Sequence, residues 1–188
     1  MKIITGQQAP TFNLTDINGT EFKLDQLKGK RYLLTFYRFA SCPFCNLRLH
    51  NLINDYKNYG DDFEFIAVFD STLENLQKYA EKHQSPFPIL ADKDNSIHRL
   101  YQVEHSILGV LKGIIFRMPS LTLAMLKGYI PWRIKGEITA MPADFLVDEN
   151  GTIQVAYYGE DEGDHIPMHR VKQFAQRRGE TEADLIEV

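Results

Sequence analysis

Hydrophobic residues fall along this chain in two rhythms. The stretches 31–37 (RYLLTFY) and 63–69 (FEFIAVF) are almost continuously apolar. Runs of that length fit strands buried on both faces of a sheet. Between them, Cys45, Leu49, Leu52, Tyr56 and Tyr59 recur at steps of four and three. That spacing puts them on one helical face, and Gly60 is a natural stop. A second helix follows 63–69, with Ser71 and Glu74 spaced as a capping box and Leu73, Leu76 and Ala80 facing inward. Asn18-Gly19 between 12–16 and 20–24 predicts an N-terminal hairpin. Residues 85–103 give a Pro-bounded segment, a short strand and a short helix. Residues 143–148 and 152–158 around Glu149-Asn150-Gly151 give a second hairpin, and Val171, Phe174, Ala175 and Arg178 a final helix ending at Gly179.

Strands alternating with helices, then a hairpin and a helix, predict an α/β fold: a mixed sheet covered by helices on both faces. The expected organisation is one domain over 1–179 with an acidic tail over 180–188. A helical insertion interrupts the domain at about 105–136. Ser106 can cap its first helix, carrying Ile107, Leu111, Ile114 and Met118. Pro119 breaks that helix, and Ser120 can cap a second one ended by Gly128. The expected fate of these helices is to pack their apolar residues on the domain. The other uses open to them are a lid over a site or a basic, apolar docking surface.

Composition narrows the function. With 188 residues and 44% hydrophobic content, the chain can bury a core without disulfide staples. A formal charge of −4 does not point to nucleic acid. The charge is uneven, however. Residues 105–136 hold Lys112, Arg117, Lys127, Arg133 and Lys135 and no acid, leaving −9 for the remainder. The N-terminal residues carry no apolar signal region and no run matches a membrane span, so a cytoplasmic protein without an integral membrane segment is expected.

The only two cysteines are Cys42 and Cys45, in Ser-Cys-Pro-Phe-Cys directly after the first apolar run. A zinc site needs about four ligands, and His50 is the single nearby candidate, so neither metal nor other cofactor is expected. Pro43 suits the first position of a helix, which places Cys42 at the N-cap and Cys45 one turn in. Aligned peptide dipoles at a helix N-terminus favour a thiolate. Because Cys45 shares its face with Leu49 and Leu52, it should point inward, and Cys42 should be the more accessible. Cys42 then attacks and Cys45 resolves, an arrangement that suits thiol-disulfide exchange.

These residues carry a resemblance. Gly6, Ala9-Pro10, Phe12, Leu14, Gly19 and Leu27, the segment 86–103, and 141–153 (MPADFLVDENGTI) resemble the AhpC/TSA family of peroxiredoxins and redoxins, closest to the peroxiredoxin-like branch with a Cys-x-x-Cys. The resemblance implies a thioredoxin-like fold and an antioxidant role. It also implies a disulfide or peroxide substrate and a reductant that is a thioredoxin-like protein or a low-molecular-weight thiol. A homodimer is compatible with it. In the family pattern Cys45 is at the peroxidatic position, Cys42 stands where Thr is usual, Arg38 where Pro is usual, and Pro142 where a peroxide-activating Arg is usual. The main reading is therefore disulfide exchange led by Cys42. Thiol peroxidase led by Cys45 and a redox-sensing module docking through the insertion are the alternatives. The thioredoxin-like pattern implies a cis Met141-Pro142 bond, with Met141 and Pro142 positioning substrate backbone. Arg38 or Arg133 can bring a guanidinium to the site, although an exposed ion pair is their expected fate. Asp164 and His165 can orient one another, although a solvated turn with a helix cap is their expected fate, and Trp132 is expected to anchor the insertion.

Overall fold

The computed structural model describes residues 2–131 and 136–176. Seven strands form one sheet in the order β2-β1-β5-β4-β3-β6-β7. They are β1 (Asn13–Asp16), β2 (Glu21–Lys23), β3 (Arg31–Tyr37), β4 (Phe63–Phe69), β5 (Ile89–Ala91), β6 (Ala143–Val147) and β7 (Ile153–Tyr158). β3 runs parallel to β4 and antiparallel to β6, and β4 runs parallel to β5. The expected N-terminal hairpin is present, with Gly19 at φ +85° in the turn. That left-handed conformation favours glycine.

Alternation along the central strands divides the core into two layers. Leu33 and Tyr37 of β3 share one layer with Phe63, Phe65, Ala67 and Phe69 of β4. Tyr32, Leu34 and Phe36 share the other with Ile66 and Val68. α1 (Pro43–Asp55), α2 (Leu73–Ala80) and α6 (Met168–Gln176) cover the first layer, which also takes both cysteines. The N-terminal segment and α3 (Ser96–Leu100) cover the second. The helical face of α1 is as expected: Cys45, Leu49 and Leu52 are fully buried. α2 differs by one residue at its start. Thr72 Oγ1 accepts from Asn75 N at 3.4 Å, while Ser71 is engaged with the Asn75 side chain.

The insertion forms α4 (Ile107–Phe116) and α5 (Met118–Leu126). Ser106 caps α4 as expected, its Oγ accepting from Gly109 N at 2.9 Å. The second helix departs from expectation. It starts at Met118 with Pro119 in its first turn, so Pro119 opens it and Ser120 is not the cap. The orientation of α4 is also reversed. Gly109 and Gly113 are its buried residues, while Ile107, Leu111, Ile114 and Met118 are exposed. α5 packs on α1, and Leu121 reaches the core layer that contains the cysteines. Trp132, Arg133, Arg178, Gly179 and the acidic tail lie outside the described residues.

Candidate active site

The chain leaves β3 at Tyr37 and turns through 38–42 into α1. Cys42 is the N-cap residue, with Pro43 in the first turn. Its Sγ accepts from Cys45 N at 3.4 Å. The turn is fixed by Asn46, whose side-chain amide donates to the carbonyls of Ala40 (2.8 Å) and Cys42 (2.9 Å). Asn46 Oδ1 in turn meets His83 Nε2 at 2.9 Å. Burial, with nearby Lys82 and His50, lowers the His83 pKa to about 4. The ring is therefore neutral at pH 7 and its Nε2–H can donate to Asn46. Neither Asn46 nor His83 stands out in the sequence, because Asn46 reads as a mid-helix polar residue and His83 lies 37 positions away.

Both cysteines are free thiols with no exposed surface. The greater accessibility expected for Cys42 is therefore not found. Its cause lies in chain segments distant in sequence. Ile138 presents its carbonyl to Arg38, Glu162 pairs with Arg38, and Gly163 lies against both Phe44 and Arg117. Segment 136–140 and the 159–164 loop thus close over the turn that carries the thiols.

Arg38 is the cation of this enclosure. It is buried rather than exposed and pairs with Glu162 at 2.7 Å. Its guanidinium lies 5.2 Å from the Phe39 ring centroid, and its Nε–H has no hydrogen-bond partner among the described residues. The two thiols are driven in opposite directions. Burial pushes the Cys42 thiol up, but a hydrogen bond from the Cys45 thiol and the Arg38 charge outweigh it, leaving Cys42 below its ordinary value. Burial and the neighbouring Cys42 hold Cys45 well above the ordinary value. Of the two, Cys42 is thus the more readily ionised.

Met141 and Pro142 lead into β6, and the chain there is trans: the described residues contain no cis peptide bond. The expected cis Met141-Pro142 bond is absent. Backbone pairing accounts for the extended path. Met141 N–H donates to Glu104 O at 2.7 Å, Gly159 N–H donates to Pro142 O at 2.9 Å, and His105 bridges Ala140. These backbone groups are engaged within the protein itself. The Met141 side chain meets α4 at Gly109.

A buried polar group stands beside the thiols on the same layer. Thr35 Oγ1 donates to Asp144 Oδ1 at 2.5 Å across the β3–β6 register. Asp144 also accepts from Ile166 N at 2.7 Å and meets His165 Nδ1 at 3.1 Å. The His165 ring lies 5.2 Å from that of Tyr37. His165 is therefore buried and oriented by Asp144, which is neither the solvated turn expected nor the pairing with Asp164 that the sequence left open. Asp164 instead takes the Tyr157 hydroxyl and Glu160 N.

A thioredoxin-like sheet with a Cys-x-x-Cys opening the first long helix defines a thiol-based redox protein. The AhpC/TSA family pattern matches residues 5–156, and the chain belongs to that family. It is 30% identical over 121 residues to peroxiredoxin Bcp of Escherichia coli, covering 62% of this chain and 76% of that protein. It is 26% identical over 113 residues to the chloroplastic peroxiredoxin Q of Populus jackii, 60% of this chain. The matched region spans only 53% of that relative's length. The fold is that of peroxidoxin BcpB from Mycobacterium tuberculosis, with a TM-score of 0.67 at 16% identity over 93% of this chain and 97% of that one.

Proposed function

We propose that this protein is a thiol-dependent peroxidase in which Cys42 and Cys45 cycle between dithiol and disulfide. The observation that carries the reading is the enclosed site itself: both thiols are buried at the start of α1, next to the buried Arg38, whose Nε–H is unpaired among the described residues. Arg38 and Cys45 draw the Cys42 thiol below its ordinary pKa, while Cys45 is held above it. The Cys42 thiolate attacks one peroxide oxygen. An S–O bond forms, the O–O bond breaks, and the leaving alkoxide or hydroxide takes a proton. The unpaired Nε–H of Arg38 is a donor available to that oxygen. The Cys45 thiol then attacks the Cys42 sulfenic acid, expelling water and forming the disulfide. A thioredoxin-like protein or a small dithiol restores both thiols. Met141 and Pro142 serve this scheme by holding the wall of the site rather than by pairing with substrate backbone.

The enclosure favours a small oxidant, since neither sulfur has exposed surface. Disulfide exchange led by the same Cys42 is the second reading. It is favoured by the N-cap position of Cys42 and by Pro43, and it requires the enclosure to open. The test is peroxide consumption by the reduced protein compared between Cys42→Ser and Cys45→Ser. Fast oxidation that survives only in Cys45→Ser supports peroxidase chemistry led by Cys42. Survival only in Cys42→Ser would transfer the lead to Cys45. Rates near those of an ordinary small thiol in both variants and in the parent would leave disulfide exchange.

A further inference from the structure

The insertion carries an apolar surface that stays exposed among the described residues. All exposed large hydrophobic side chains among the described residues except Ile4 and Leu100 lie between 107 and 138. On α4 they are Ile107, Leu108, Leu111, Ile114, Ile115 and Phe116, with Leu108 78% and Phe116 75% exposed. At about 100° per residue, the first five occupy one arc of roughly 120°. The opposite side holds Gly109 and Gly113, which contact Met141, Glu160 and Glu162. This is an inverted helix: small residues face the protein and large aliphatic ones face out. α5 adds Met118, Leu123, Met125 and Leu126, the last 82% exposed.

We infer that α4 and α5 dock the protein on the surface of an anionic lipid bilayer. Three observations favour lipid over a protein partner. The outward arc of α4 holds only Ile and Leu, whereas protein interfaces interleave hydrogen-bonding side chains with the apolar ones. Together the two helices have the length and hydropathy of a membrane-spanning segment, but they are bent by 76° at Arg117. Their 10 and 9 residues reach about 15 and 14 Å, half of a roughly 30 Å hydrocarbon core. Such helices lie in the interface, with their apolar face at the headgroup–acyl boundary.

The third observation is charge. The insertion has five basic residues and no acid in a chain of net −4. Lys112 and Arg117 tie it to Glu160 and to Asp161 and Asp164 on the protein side. Lys127, at the end of α5, meets the His50 ring at 3.2 Å rather than a carboxylate. Burial and Lys127 itself lower the His50 pKa, so that ring does not add charge at neutral pH. Lys127 is thus placed to meet an anionic headgroup. Docking of this kind brings the enclosed thiols to the membrane surface, since α5 packs directly on the helix that Cys42 opens.

The test is flotation of the full chain with phosphatidylcholine vesicles, with and without phosphatidylglycerol. It is repeated with Leu108, Ile115 and Phe116 replaced together by Ser. These side chains are largely exposed, and far-ultraviolet circular dichroism and the thermal midpoint verify that the variant is folded. The expected result is uptake by the anionic vesicles that weakens with salt and falls by about tenfold or more in the variant. Equal uptake by parent and variant, or no uptake by anionic vesicles, overturns the inference. So does a concentration-dependent dimer, seen by sedimentation, that the variant abolishes while neither protein binds vesicles. That outcome would assign the face to a second copy of the chain.

Discussion

Arg38 and Glu162 face one another at 2.7 Å across the enclosed thiol site, and neither side chain is more than 6% exposed. The pair does two things at once. Glu162 balances a buried cation, and it also moderates how strongly that cation acidifies Cys42. The carboxyl is itself pushed up by burial and pulled back by Arg38.

The two partners should therefore shift Cys42 in opposite directions. Replacing Arg38 with Met removes the nearby positive charge and should raise the Cys42 pKa. Replacing Glu162 with Gln leaves the guanidinium uncompensated and should lower it further. The fall in reactivity on acidification moves with each shift: to higher pH in Arg38→Met and to lower pH in Glu162→Gln. Thiolate ultraviolet absorbance against pH reads both. Parallel shifts in the two variants would refute the arrangement. Each variant breaks a buried pair and should also cost about 3 kcal/mol of stability.

Asp144 gives a prediction on stability against pH. Burial alone would raise its carboxyl pKa, but His165, Arg48 and Thr35 more than offset this, leaving it below the ordinary 3.8. A depressed native value means that the ionised group stabilises the fold above the unfolded value near 3.9. That contribution is lost as pH falls through the lower native value. Asp144→Asn should lose about 3 kcal/mol at pH 7. It should also show a shallower loss of stability below pH 4 than the parent. Urea denaturation at neutral and acidic pH measures both.

His83 adds a milder dependence at higher pH. Its native value of about 4 lies below the ordinary 6.5, so the folded protein favours the neutral ring. Stability should decline progressively as pH falls from about 6.5 towards 4, and the decline should flatten in His83→Gln. Thermal midpoints across that interval provide the check. A parent and variant that decline in parallel would dissociate His83 from the effect.

The sheet was legible because its signals are local. The runs at 31–37 and 63–69 and the Asn-Gly turn declare themselves within a few residues. The N-cap cysteine was legible too, since Pro43 marks the first helical turn. The enclosure was not. It depends on Ile138 and Glu162 meeting Arg38, 100 and 124 positions away, and no periodicity reports such contacts. Asp144 was hidden inside an apolar strand, so the neighbouring Asp164 was the natural partner for His165 in sequence alone. The insertion misled for a different reason. Hydrophobic periodicity assigns the large apolar residues to the protein side, and α4 puts glycine there.

That glycine face yields the last prediction. A side chain at Gly109 would place its Cβ 2.6 Å from Met141 Sδ and 2.7 Å from the Glu160 carbonyl oxygen. The methionine can move, but the carbonyl belongs to the loop that also presents Glu162 and Gly163 to the thiol site. Gly109→Val should therefore lift α4 or displace that loop instead of disturbing the sheet. Overpacking of this kind costs about 1–3 kcal/mol. Borne by the local closing equilibrium, that cost should speed modification of Cys42 by a bulky aromatic disulfide by roughly tenfold to a hundredfold. Leu108→Ala, on the outward arc of the same helix, should leave the rate unchanged. Equal rates in the parent and Gly109→Val would mean that the thiols are reached by another path, and that α4 does not help to close the site.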